Sequence, residues 1–177
     1  MSTSLHAGVA ERGKQLAVAG QHSEALRHYR EAMQLVKKHQ EPEIFLRYYT
    51  QCALESLEHM GAWNEVIAAC ENAEAHYQQY PPHDDVTRKD RASFLERAGV
   101  VLLRQEKTEE ASAKFQQALR AAAPLSMPIS STLLGWLRTR LHLSKERLES
   151  ELKRQKYWSV RAECIRDQWA IALPAAG

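Results

Sequence analysis

Residues 13–32 read GKQLAVAGQHSEALRHYREA, and within them Gly13, Leu16, Gly20, Ala25, Tyr29 and Ala32 stand at offsets of 0, 3, 7, 12, 16 and 19. The same offsets return in residues 54–73, LESLEHMGAWNEVIAACENA, as Leu54, Leu57, Gly61, Val66, Cys70 and Ala73. They return again in residues 99–118, GVVLLRQEKTEEASAKFQQA, as Gly99, Leu102, Glu106, Ala111, Phe115 and Ala118. Such a recurrence marks stacked supersecondary units, none of which can bury its apolar face alone. Within each unit a first helix breaks at offset 7 and a second begins, because the Gly20 and Gly61 positions accept positive φ without penalty. Small residues recur where two helices must touch closely.

Working outward from these segments, the apolar spacing predicts helices over 5–19, 22–39, 42–60, 63–79, 86–105 and 108–122. Pro42 suits a helix first turn, and Tyr80-Pro81-Pro82 is a stop. Thr108 followed by Glu109 and Glu110 reads as an N-cap with an acidic first turn. Pro124 and Pro128 then break the pattern, so the expected division is 1–125 for three helix pairs and 126–177 for a basic tail.

The order of residues in the first and third segments, with a small residue, a large apolar residue, a turn, then alanine, aromatic and alanine, resembles the tetratricopeptide repeat, from which the second departs at Leu54 and Cys70. The resemblance covers residues 6–125. Repeat starts lie 41 and 45 residues apart, longer than the roughly 34 residues of the standard unit. His83-Asp84-Asp85-Val86 resembles the segment between the longer repeats of kinesin light chains, with a greater distance to the next small position. The resemblance implies an all-α protein of antiparallel helix pairs stacked as a short right-handed superhelix. It also implies that each aromatic at the Tyr29 or Phe115 position fills the gap to the next repeat. The first helix of every pair would line a concave groove for a partner segment. By offset the groove positions are Ala10 and Lys14; Tyr48, Gln51, Cys52 and Glu55; and Ser93, Glu96, Arg97 and Arg104. The family's clamp for a C-terminal carboxylate would need cations or amides at Ala10, Cys52 and Ser93, which are absent.

Composition excludes several other classes. With 44% hydrophobic and 26% charged residues the 177-residue chain is ordinary globular material. The net charge of +2 does not call for a nucleic-acid or membrane partner. Residues 129–177 do hold 9 Lys+Arg against 5 Asp+Glu. Three widely spaced cysteines, Cys52, Cys70 and Cys164, offer no disulfide framework and no CxxC motif, which points to a reducing, cytoplasmic setting. No leader-like apolar run and no spanning segment is present in the sequence. Eight histidines form no HExxH and no finger spacing, and no glycine-rich phosphate loop occurs. No cofactor, metal or catalysis is expected.

The tail carries two readings. Leu134, Leu137, Leu141, Leu143, Leu148 and Leu152 give two short amphipathic helices about a turn at 142–145. The first reading is a helical cap, in which Tyr157, Val160, Cys164, Ile165 and Trp169 cover the open end of the third repeat. The second resembles the helix-turn-helix of bacterial regulators, with Arg147, Lys153 and Arg154 towards nucleic acid and the Trp158, Val160, Ala162, Cys164 alternation as a wing hairpin. Glu146, Glu149 and Glu151 on the supposed recognition helix oppose DNA and favour the cap. Trp136, Trp158 and Trp169 must be covered, either on the third repeat or in a homodimer contact. The functional expectation is an adaptor, chaperone or assembly and scaffold factor, for example for a cytoskeletal or secretion component, that holds another protein in its groove; the alternative is a nucleic-acid-binding regulator with a repeat-built sensor domain.

Overall fold

A computed structural model of the chain describes residues 4–139 and 143–174. Among them the chain forms eight α-helices and no strand. These are α1 Leu5–Val18, α2 His22–Lys38, α3 Glu43–His59, α4 Trp63–Gln79, α5 Asp85–Arg104, α6 Thr108–Ala122, α7 Pro128–Arg138 and α8 Lys145–Arg154. Two single turns of 3-10 helix follow, Ala162–Cys164 and Asp167–Trp169. All six helices expected from the repeat are present, with bounds shifted by one residue at most. In the tail the helix pair forms too, while Leu141 and His142, assigned to its turn, lie outside the described residues.

The turns between paired helices follow one hydrogen-bonding scheme. Gly20, Gly61 and Glu106, which share offset 7, all take positive φ, at 77°, 73° and 62°. Each is followed by a residue whose N–H donates five positions back, from Gln21 to Leu16 at 2.8 Å, from Ala62 to Leu57 at 3.0 Å and from Lys107 to Leu102 at 2.9 Å. This left-handed closure satisfies carbonyls that a helix end leaves open. It also reverses the chain within three residues.

Close approach inside a pair is set by glycine and an aromatic ring. A Cβ on Gly13 would lie 2.7 Å from Tyr29 Cε1, and one on Gly99 would lie 2.6 Å from Phe115 Cε1. Tyr29 and Phe115 are completely buried. Each ring seats on the glycine of its own pair, and Tyr29 also packs with Cys52 of the next repeat, as expected of a ring that fills the gap between repeats. The spacing of sixteen residues across a tight turn brings those two positions face to face.

The chain divides into two compact units, one built from residues up to Ala62 with the segment from Trp158 onward, the other from Trp63 to Tyr157. This differs from the division at 125 drawn from the repeat. In the first unit, Val9, Ala10, Ala32, Leu35, Val36 and Tyr49 form one core cluster, and Leu16, Ala25, Tyr29 and Cys52 a second. In the second unit, α5 is the central helix, packed on α4, α6 and α7. Its start is a capping box: Asp84 accepts from Thr87 N at 2.7 Å, while Thr87 Oγ1 accepts from Asp84 N at 3.3 Å. The His83–Val86 segment is therefore a helix cap. Thr108 is the first residue of α6 and not its N-cap, which is Lys107 without a capping side chain.

Glu106 holds the conformation that its two counterparts hold as glycines, at a cost of about 1 kcal/mol for an L-residue. Glu106→Gly is expected to raise the urea midpoint by about 0.5–1 kcal/mol of stability. Gly99→Ala, with its added methyl against Phe115, should lower the midpoint. Denaturation followed by circular dichroism checks both signs.

Candidate functional site

The segment 158–174 forms neither a cap helix nor a wing hairpin. It belongs to the first unit, where it runs from α3 across α1 to α2 as a strap interrupted by the two 3-10 turns. Its seat is built from groove positions of α1 and α3. Glu55, 2% exposed, accepts two successive main-chain N–H groups, Ser159 N at 2.7 Å on Oε1 and Val160 N at 3.0 Å on Oε2. One turn and more along α1, Lys14 Nζ donates to the Cys164 carbonyl at 3.4 Å. Lys14 is also ion-paired with Glu11 at 2.5 Å, and Glu11 in turn accepts from Arg166 N.

A carboxylate removed from water costs several kcal/mol unless strong hydrogen bonds replace its hydration. Two main-chain donors on one carboxylate supply roughly 1.5–3 kcal/mol each. The polypeptide backbone over Glu55 and Glu11 offsets part of that cost, and the Lys14 ion pair adds to the offset at Glu11.

The remaining contacts fix the strap's course. Trp158 stacks on His59 with centroids 4.1 Å apart, and His59 stacks on His22 at 4.7 Å. Val160 packs against the cluster of Leu16, Ala25, Tyr29 and Cys52. Gln15 Nε2 donates to Asp167 at 2.7 Å. At Gly8 the strap crosses α1: Ile171 N donates to the Gly8 carbonyl at 2.9 Å, and a Cβ on Gly8 would meet the Ile171 side chain and stand 2.8 Å from the Trp169 carbonyl. Only glycine leaves room for that crossing. Leu173 then joins the cluster of Val9, Ala32 and Tyr49, and its N–H donates to His28 Nε2 at 3.2 Å. His28 Nδ1 lies 2.8 Å from the Glu24 carbonyl and so carries the proton, leaving Nε2 to accept.

Of the other first-unit groove positions, Tyr48 is 37% exposed and Gln51 half-buried. Ala10 and Cys52 are core residues. The second unit also covers its groove positions with its own chain. Glu96 accepts from Ser130 N at 3.0 Å and Ser130 Oγ at 2.6 Å, and so sits at the start of α7, where a carboxylate complements the helix dipole. Burial pushes the Glu96 carboxyl above the usual carboxylate range, against the opposing pull of Ser130. Arg97, 4% exposed, stacks on Tyr157 at 5.0 Å. Arg104 binds Glu149 on α8 at 3.0 Å and stacks over Trp63 at 5.6 Å. Ser93 Oγ donates back to the Lys89 carbonyl at 2.8 Å.

The residues assigned to nucleic acid are dispersed in role. Arg147 lies over the Trp136 ring at 4.4 Å, Arg154 Nε donates to Glu151 at 3.0 Å, and Lys153 is exposed. Of the residues expected to cap the third repeat, Val160, Cys164, Ile165 and Trp169 lie in the first unit, and Tyr157 alone in the second. Trp169 is half-buried, with Arg166 over its ring at 4.3 Å. Among the described residues no cluster of three or more His, Cys, Asp or Glu could hold a metal ion, and no helix is long and apolar enough to cross a membrane.

Sequence reasoning singled out Lys14 and Glu55, which contact the strap, but missed Glu11, Gly8, His59 and His28. A signal existed in the alternation of Trp158 with Val160 and of Ile171 with Leu173, which marks extended chain. The acids of α1 and α3 at helix positions that face packing were a second signal.

Burial lowers the pKa of both His6 and His22; His39 adds to the effect at His6 against the pull of Glu41, and His59 adds to it at His22. Both imidazoles are favoured neutral in the folded unit. Their contribution is therefore fully present above the unfolded value of about 6.5 and is lost as pH falls through it. The urea midpoint is expected to drop between pH 7.5 and 5.5, and to drop less in His22→Asn. Comparison with known proteins finds no matching family model, no matching curated protein and no matching solved structure.

Proposed function

We propose that this chain is a non-enzymatic protein-interaction module of tetratricopeptide-like helix pairs, acting as an adaptor, chaperone or assembly factor. Its partner's polypeptide segment is received on the face of α1 and α3. The observation that carries this reading is the chemistry of that face. Glu55, Glu11 and Lys14 are buried charged groups, and each engages a main-chain N–H or C=O group of an extended segment. A surface that addresses backbone grips a peptide whatever its sequence, and adjoining apolar contacts supply selectivity. His59 and the cluster around Leu16 and Cys52 are contacts of that kind. A cytoplasmic setting suits the three free thiols at Cys52, Cys70 and Cys164.

The test is affinity capture from the native cell extract with identification by mass spectrometry. Proteins recovered with the wild-type chain should be lost when Lys14→Glu and Glu55→Lys are combined, with the helical circular dichroism retained. The same proteins recovered at the same yield by the variant would contradict the assignment.

A further inference from the structure

We infer that the seat on α1 and α3 is an exchangeable peptide site, and that segment 158–174 is a resident competitor that a partner segment of like chemistry must displace. This rests on the interaction reading above and adds its ligand class and its regulation. The asymmetry of burial is the first support. The groups that hold the strap are buried, Glu55 at 2%, His28 at 3%, Glu11 at 5% and Lys14 at 9% exposure. Not one described residue of the strap itself is fully buried, and Ile171 is 37% exposed. A segment that buries little apolar surface opens at a lower free energy than the helices beneath it.

The second support is what opening leaves behind. Opening takes two main-chain donors from Glu55 and one from Glu11, and an incoming segment that offers the same donors restores those hydrogen bonds. The ligand is therefore a peptide with two successive free N–H groups beneath an aromatic residue that reaches His59. A β-branched or aliphatic residue two positions after the aromatic fills the place of Val160. Further along, a backbone N–H meets Glu11, and a carbonyl meets Lys14. At Gly8 the ligand would need a backbone N–H for the Gly8 carbonyl and an aliphatic side chain in the place of Ile171. Tethering gives the strap a high effective concentration, so a free ligand binds the intact chain weakly.

The probe is a fluorescein-labelled synthetic peptide of residues 158–174, followed by anisotropy against the full-length chain. Ser159→Pro removes one of the two donors to Glu55, and Trp158→Ala removes the ring on His59; either loosens the strap in place. Both variants are expected to bind the probe at least about tenfold more tightly than wild type, because the apparent affinity rises with the open fraction. Adding Glu55→Gln to either chain should cancel the gain. Equal binding to wild type and both variants, with helical circular dichroism intact, overturns the inference. Loss of helical signal in both variants overturns it as well, since the strap would then be part of the fold and not an occupant. Probe exchange that depends on Glu55, alongside protein capture that does not, upholds exchange and refutes the interaction surface.

Discussion

The seating of two successive amides, those of Ser159 and Val160, on the buried carboxylate of Glu55 is the contact on which the arrangement of the first unit depends. A carboxylate on a helix face with 2% exposure is destabilising by itself. It becomes acceptable when main-chain donors replace water, and those donors come from a segment 104 residues later in the chain. Glu11 repeats the arrangement with Arg166, and the Glu11–Lys14 pair adds a donor for the Cys164 carbonyl. Glu11, Lys14 and Glu55 are thus not part of a solvated face. They are the means by which helices hold backbone.

The helix pairs supply the rigidity that such a seat requires. Tyr29 wedged on Gly13 fixes the distance between α1 and α2, and the turn at Gly20 fixes their reversal. Phe115 on Gly99 and the turn at Glu106 do the same for α5 and α6. A side chain such as Glu55 can meet two amides at once only if its helix does not shift. In the second unit the equivalent face is closed by α7, α8 and Tyr157, through Glu96, Arg104 and Arg97.

Much of this was legible in the sequence. Helix bounds followed from the apolar period, and offset 7 identified the turns because a left-handed closure favours glycine. Glu106 occupies that position without being glycine, and the offset still located it. Spacing alone did not show that Tyr29 meets Gly13 of its own pair as well as Cys52 of the next. The strap was misread for a deeper reason. Its apolar residues alternate, which predicts extended chain but not its partner, and the partner lies on α1 and α3. Glu11, Gly8 and His28 acquire their roles only when that long-range contact is made, and no local pattern encodes it.

Native-state hydrogen exchange of the full-length chain, resolved at the amides of Ser159, Val160 and Arg166, measures the seat directly. Donors to buried carboxylates should exchange well below the rate of an unstructured peptide, yet faster than the core amides of α1. Exchange of those three amides at the free-peptide rate would mean that no backbone rests on Glu55 and Glu11, and would contradict the account.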